Sequence, residues 1–472
     1  MTNKQPLLAH EKEGAEKEGA GSVGASAVTL AKICVGCGVM ALPWGFMRGG
    51  VLSAPGSALP CEHIPCVRIL ASRTTERLSH QRSIARAGMV LIGVWNWYTS
   101  LQLVQCKRAL ANDPSMLGVG DPQGRPRSAY SALAFAVLGR PGLCLLEGSM
   151  LVVLLGVCAS MQVQFAQFGA AVCPGLGYGG CVLGSACLLL PLVLQRTLVH
   201  LSRVSALGLA VLVLGLCAVA VHGWLEYSGE PISPTLLSAP TLGGAAAFFG
   251  IATFSFGVQM MVLPVQEGMA QPSRIGEALA LALGAVVGLY LLVGNGLASL
   301  YASQGVQQLI VLNLPPGSLL ATNVQTCAAL VSLLSYPLPL MPVVQLLLAS
   351  TSPAWLATLL PAHRRESGLR LGILLATSAV ALLVPNFGAI AGFLGCLNVA
   401  ASMVLPPALH LKLVSLPAWH ARRHATHYAA HGAAVARDAL LLLLGVATLL
   451  FSTALTASAL VAHGERPAQA QD

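Results

Sequence analysis

The chain has 472 residues, 55% of them hydrophobic and only 9% charged, and its mean hydropathy is +0.74. No soluble domain is that apolar, and the charges fall in short clusters between long apolar runs, so the composition specifies a polytopic membrane protein. The net charge of +9 does not point to nucleic acid: no basic face with interleaved aromatics appears, and Lys and Arg fall in alternate loops, as membrane topology requires. Most of the thirteen cysteines lie inside apolar runs (Cys144, Cys158, Cys187, Cys217, Cys327 and Cys396 among them). There they act as small apolar residues and say little about redox compartment.

Residues 1–27 are polar and carry a tandem repeat, Glu11-Lys-Glu-Gly-Ala15 then Glu16-Lys-Glu-Gly-Ala20. Such a segment cannot bury a core and is expected to be a disordered cytoplasmic tail. It lacks the basic start, short apolar stretch and cleavage site of a signal peptide. Leu7-Leu8 has the form of an endosomal sorting signal without the usual upstream acid, and an incidental dileucine fits equally. The transmembrane domain is expected over 28–462, with a short tail at 463–472. Its first span, Val28 to Phe46, has Gly36-Cys37-Gly38 at its centre and Pro43 after it. Glycines there either let helices pack closely or mark a weak point in the backbone. Lys32, near the start, is placed to snorkel to the surface.

The segment 51–88 does not fit. It has Pro55, Pro60 and Pro65, five arginines from Arg68 to Arg86 and no apolar run. It reads as an insertion or gene-model artefact, such as a retained intron, with a genuine basic extramembrane loop as the alternative. The second span follows at Met89 to Cys106. The third covers Gly142 to Ala171 and carries Glu147, either a functional carboxylate or the partner of a loop arginine. The fourth is Gly180 to Leu194 and the fifth Val204 to His222.

Leu242 to Pro272 is the sixth span and the least uniform. Phe254-Ser255-Phe256-Gly257 sits at its centre, Pro264 near its end and Glu267 just beyond. A small, weakly helix-favouring segment in mid-span predicts a helix that opens its backbone, tolerated in a membrane only where it is buried in protein or lines a cavity. Ile275 to Leu300, Leu319 to Leu348, Leu369 to Val384, Gly388 to Leu411 and Asp438 to Val461 bring the total to about eleven. With the N-terminus cytoplasmic, the loops after even-numbered spans carry Lys107 to Arg140, Arg196 and Arg203 follow the fourth span, and Arg274, Arg364, Arg365, Arg370, Lys412, Arg422, Arg423 and Arg437 fall on the same side. Only Arg48 and the 51–88 segment violate the positive-inside rule.

Several motifs are collinear. Lys32-x-x-Val35-Gly36-x-Gly38-x-x-Ala41-Leu42-Pro43 resembles the first-helix motif of the amino acid/auxin permease family. Phe254-Ser-Phe256 with Val262-Leu263-Pro264 and Pro272-x-Arg274 resembles its sixth helix. Ser335-Tyr336-Pro337-Leu338 with Pro342 resembles the eighth, and Val384-Pro385-Asn386-Phe387-Gly388 followed by Leu405-Pro-Pro407-Ala408 the ninth and tenth. The chain is most similar to the proton-coupled amino acid transporter branch. The resemblance implies an all-α LeuT-like fold of two inverted five-helix repeats, with broken helices 1 and 6 facing each other at the substrate site. It also implies an amino acid substrate and a co-transported proton as one of several coupling schemes, at the plasma membrane or a vacuolar/endolysosomal membrane.

An amino acid zwitterion brings a carboxylate and an ammonium into a dry site. Exposed N–H groups and half-helix N-termini suit the first, and exposed carbonyls suit the second. The substrate-binding candidates are therefore Gly36, Cys37, Gly38, Phe254, Ser255, Phe256 and Gly257, with Tyr336 added from the eighth span. The two phenylalanines either shape the pocket or are ordinary core aromatics. For ion coupling the candidates are Glu147, Ser332 and Ser335. The branch commonly has Glu where Gly257 stands and often Asn where Cys34 stands, and no Asp lies inside a predicted span, Asp438 marking the start of the last.

His420, His424, His427 and His431 recur at helical spacing before the last span. They form either a pH- or metal-sensing face or an interfacial segment that meets lipid headgroups. Nothing else calls for a metal or cofactor. Paired intramembrane Asp, Gly-x-Ser-Gly, a nucleotide-binding loop and a channel filter are all lacking. The chain therefore reads as a secondary active transporter of small neutral amino acids rather than an enzyme, with membrane lipids as its other contact. The alternative is an amino-acid-sensing transceptor with little or no flux.

Overall fold

The computed structural model describes residues 21–50, 66–112, 128–194, 201–228, 242–350, 362–415 and 428–464. Among these the regular structure is helical. The sole β pairing is a single parallel bridge, Gly21 with Met269, which ties the start of the first span to the loop after the sixth.

The first predicted span is two helices. α1, Val23–Cys34, starts at Ser22, whose hydroxyl accepts from the Ala25 amide at 3.2 Å and so satisfies an orphan N–H of the first turn. A 3₁₀ turn over Cys37–Ala41 leads into α2, Leu42–Gly50, and the two halves are bent by 55°. α3, Cys66–Asn112, includes the predicted second span. Of the suspect segment, 51–65 lies outside the described residues, and from residue 66 its backbone is continuous helix with that span. Ala85 and Met89 are buried, and Gly88 approaches Phe248.

α4, Ala129–Val172, begins earlier than predicted. It is kinked at Gly139, whose φ of 70° belongs to the left-handed region that glycine enters freely, two residues before Pro141. α5, Gly177–Leu194, and α6, Leu201–Tyr227, complete the first half.

The sixth span is broken where the sequence predicts. α7, Leu242–Ser255, ends at the Phe-Ser-Phe-Gly segment, and α8, Gln259–Glu267, resumes after it. α9, Ile275–Tyr290, runs into a π-helical segment over Leu291–Leu297. α10, Leu319–Ser335, and α11, Pro337–Ser350, are one span jointed at Pro337, which has no N–H to continue the ladder. α12, Ala362–Leu383, is followed by α13, Phe387–Val399, a second π segment over Ala400–Val404, and α14, Leu405–Val414. α15, Tyr428–Gly464, closes the described chain.

Nine of the described helices are long and apolar enough to cross a membrane, or ten with the bent first pair. α3 falls short because Asn96, Gln102 and Gln105 interrupt its apolar run. Four of its polar residues face inward, Asn96, Thr99, Ser100 and Gln102 being buried, while Gln105 is exposed. Large aliphatics such as Leu214, Leu225, Leu383, Leu443 and Leu450 are instead exposed on the outside, the pattern of a lipid-facing surface.

α7 and α13 touch backbone to backbone. A Cβ on Gly395 would lie 1.7 Å from the Gly250 carbonyl oxygen, and one on Gly250 would lie 2.0 Å from that of Gly392. Only glycine permits that approach, and small residues serve this purpose where apolar burial cannot drive helices together.

Candidate functional site

The two breaks meet. A Cβ on Gly38 would fall 2.6 Å from the Ser255 hydroxyl and 3.1 Å from the Phe254 ring, so the first and sixth spans are pressed together at their unwound centres. Gly36 has extended backbone (φ −133°) and nothing within 4 Å of where its Cβ would stand: it faces open space. Gly257 is similarly open, the nearest neighbour of a Cβ being the Phe254 carbonyl oxygen at 4.0 Å. One half of each span ends, and the next begins, within a few residues of these open positions. The carbonyl-rich ends are at Cys34 and Ser255, and the amide-rich starts at Cys37 and Gln259. Partial negative and partial positive charge thus lie side by side.

Tyr290 joins the two breaks. Its fully buried hydroxyl lies 2.7 Å from the Cys34 carbonyl oxygen and 2.7 Å from that of Ser255, and its single proton serves both. The ring meets Phe256 edge to face, with centroids 5.1 Å apart. Phe256 is itself fully buried and points into the core beside Gly93, whereas Phe254 is half-buried against Gly38. The two phenylalanines named together from sequence thus do different things: one braces the break from behind and one borders it. Ser255 donates its hydroxyl to the Ile251 carbonyl within its own helix. Cys37 lies in the 3₁₀ turn at the first break.

Neighbouring amides fix the frayed ends. Asn398, one residue before the end of α13, donates to the Thr253 carbonyl at 3.4 Å. Gln259, the first residue of α8, donates to the Asn96 side-chain oxygen at 2.5 Å, and Asn96 donates to the Ile92 carbonyl; both amides are almost fully buried. Tyr290, Asn96, Gln259 and Asn398 were not singled out by sequence reasoning. The available signal was an amide or tyrosine inside an apolar run, which membrane helices place only where a partner exists.

The eighth-span candidates sit elsewhere. Tyr336 is fully buried in a separate apolar cluster with Cys158, Leu189 and Ile373, and its hydroxyl pairs with that of Thr377 at 2.8 Å. Ser332 donates back to the Ala328 carbonyl and reaches the Gln164 amide oxygen at 3.1 Å. Ser335 closes α10 at the Pro337 joint. Glu147 is half-buried on α4, past the Gly139 kink. None of these four is brought to the paired breaks by a described contact.

Beyond the breaks, Glu267 pairs with Lys107, and Arg108 donates to the carbonyls of Pro272 and Ser273 at 3.0 and 3.1 Å. Of the histidine row, His420, His424 and His427 lie outside the described residues, and of His431 only the backbone is described.

The sequence pattern of the family described as "Transmembrane amino acid transporter protein" matches residues 84–451. The chain belongs to that family. The match begins within the suspect segment and leaves the first span outside it. Among curated relatives, amino acid transporter ANT1 of Arabidopsis thaliana is 24% identical over 71% of this chain and 79% of its own length. Vacuolar amino acid transporter 3 of Saccharomyces cerevisiae is 24% identical over 49% of this chain and 34% of its own, and that of Schizosaccharomyces pombe 22% over 73% and 46%. The chain thus spans less than half the length of these two vacuolar relatives.

Proposed function

We propose that this protein is a secondary active transporter that moves small neutral amino acids across a membrane by alternating access. In this reading the chain has a LeuT-like arrangement of two inverted five-helix repeats plus an eleventh span, with its N-terminus in the cytoplasm. The observation that carries the reading is the apposition of two broken helices at Gly38 and Ser255 under one bridging hydroxyl. The substrate carboxylate lies at the amide-rich starts near Gly36, Cys37 and Gly38. The ammonium lies against the carbonyl ends at Cys34 and Ser255.

Open space at Gly36 and Gly257, bordered by Phe254, receives the rest. The breaks carry no acidic or basic side chain between residues 34 and 38 or between 254 and 259. A charged substrate side chain would meet no counterion there, which favours neutral amino acids. The names of the yeast relatives favour a vacuolar-type membrane. Tyr336, in its own cluster, holds the eighth and ninth spans together rather than touching substrate.

The test is uptake of labelled alanine into proteoliposomes holding the purified full chain, competed by a panel of amino acids. Saturable uptake competed by glycine and serine but not by lysine or glutamate is expected. Binding without flux would favour the transceptor instead, and neither binding nor flux would end the amino acid reading.

A further inference from the structure

Away from the breaks, at the end of the bundle that carries Lys107, Glu267 and Arg274, the structure buries a second polar centre. Asp438 lies within α15 and is completely buried, a correction to the expectation that no aspartate sits inside a span: the helix extends past the apolar run to Tyr428. One carboxylate oxygen is 2.5 Å from Nδ1 of His410 on α14, itself 6% exposed. The other accepts from the Gln102 amide of α3 at 2.9 Å. Three spans thus converge on one carboxylate.

The surroundings define what this centre can hold. From α3, Tyr98 and Cys106 face it. From α4, Tyr130 approaches Cys106 but gives its hydroxyl to the Ala401 carbonyl. From α15 itself, Arg437 reaches the carboxylate at 3.4 Å, but it is half in solvent and its guanidinium also lies over the Tyr98 ring. The π segment Ala400–Val404 contributes no titratable group. An anion this deep needs a close positive partner, because leaving it unpaired costs far more than a surface charge does. Arg437, screened at the rim, supplies little of that. The close partner on a facing helix is the His410 imidazole, which can carry that charge as a proton.

We propose that the His410–Asp438 pair is the proton-binding site of this transporter. The proton sits between Nδ1 and the carboxylate oxygen; binding takes the pair from a net charge of −1 to zero, and release returns it to −1. The pair is wired to the substrate region through α3. Asn96 holds Gln259 at the start of α8, and Gln102, six residues on and about 9 Å further along the same helix, holds Asp438. A change in the carboxylate's charge therefore changes the tether on the helix that positions the break. This rests on the transport reading above.

The test uses alanine in proteoliposomes holding the full chain, with two readouts: accumulation driven by an imposed pH gradient, and counterflow, which needs no net proton movement. Wild type is expected to accumulate alanine several-fold with the gradient and to take up one proton per alanine, read by a lumenal pH dye. Asp438→Asn and His410→Gln are expected to lose accumulation and the dye signal while counterflow continues. Gln102→Met keeps both titratable groups and loses only a donor to the anionic form. It is expected to stay coupled, with the half-activating pH moved upward because the anionic form has lost a hydrogen-bond donor, and it stands in where the other two fail to fold. Wild-type counterflow with accumulation indifferent to the pH gradient overturns the proposal and leaves the transport reading intact. So does full gradient-driven accumulation by Asp438→Asn, or an unmoved pH midpoint in Gln102→Met. Absence of any wild-type flux overturns both.

Discussion

Replacing Gly395 with alanine tests whether the sixth span is held by direct backbone contact. The added methyl would sit 1.7 Å from the Gly250 carbonyl oxygen and 2.8 Å from the Phe254 amide nitrogen. Real contacts of this kind are not shorter than 3.0 Å, so α7 and α13 must separate by about 1.3 Å. Two effects oppose each other. Alanine favours a helix over glycine by about 1 kcal/mol, whereas overpacking costs about 1–3 kcal/mol. Here the clash is with backbone on both sides, which no rotamer change relieves, so the cost lies at or above the top of that range. The net expectation is destabilisation by about 2 kcal/mol or more. The displaced atoms belong to Gly250 and Phe254, so transport should fall with stability. Gly36→Ala is the control, since its Cβ meets nothing within 4 Å and its φ suits alanine; it should leave melting unchanged and raise KM for alanine. Thermal unfolding in detergent and alanine uptake read both. A Gly395→Ala protein that melts and transports like wild type would refute the contact.

Tyr290→Phe removes the donor that two buried carbonyls share, and should cost about 1–3 kcal/mol and lower alanine uptake, measured against melting of the same sample. Asn96→Leu and Gln259→Leu should each destabilise by a similar amount by stranding the partner amide, and the double variant by less than their sum; strict additivity in denaturation would show that the pair is not coupled. Gly257→Glu should be accommodated, the nearest neighbour of its Cβ being 4.0 Å away. Its carboxylate would stand just before the amide-rich start of α8 and compete with the substrate's carboxylate for such N–H groups, so alanine affinity should weaken as pH rises and the group ionises, and a flat pH profile of KM would count against that placement. Transcripts cloned from the source should join residue 50 to residue 89 directly, as the doubt about 51–88 requires; the segment present in every clone would make it a genuine part of the chain.

The parts of the fold that were legible from sequence are those where a local property and the membrane demand the same thing. A run of about 20 apolar residues can hardly be anything but a span, and a Phe-Ser-Phe-Gly centre or a Gly-Cys-Gly centre weakens a helix wherever it stands. Both breaks accordingly fall where predicted, at 256–258 and around Gly36. The starts of α4 and α15 were misjudged for one reason: helices continue beyond the apolar run into the loop region, past Gly139 and Asp438, and hydropathy marks the membrane rather than the helix. The proline-rich eighth span was recognised, and its tyrosine packs in a cluster of its own. Nothing in Ser335-Tyr336-Pro337 says that the hydroxyl turns toward Thr377 of the next span.

The polar interior was the least legible, and the reason is physical. An amide or carboxylate inside a membrane protein is tolerable only through its partner, and the partners here are far apart in sequence: Asn96 with Gln259, Gln102 with Asp438, Tyr290 with Cys34 and Ser255. One sequence shows each residue alone, where it looks like a defect in a span. The same residues divide into two sets once paired. The set at the breaks is neutral and uses backbone dipoles, which suits a ligand that brings both its own charges. The set toward the end of the bundle holds the buried carboxylate and the imidazole, which on the proposal above hold a ligand that is charge alone. A bare carboxylate beside the breaks would compete with the substrate's own carboxylate for the same N–H groups. Separating the two sets along α3 avoids that competition while a single rigid helix still touches both.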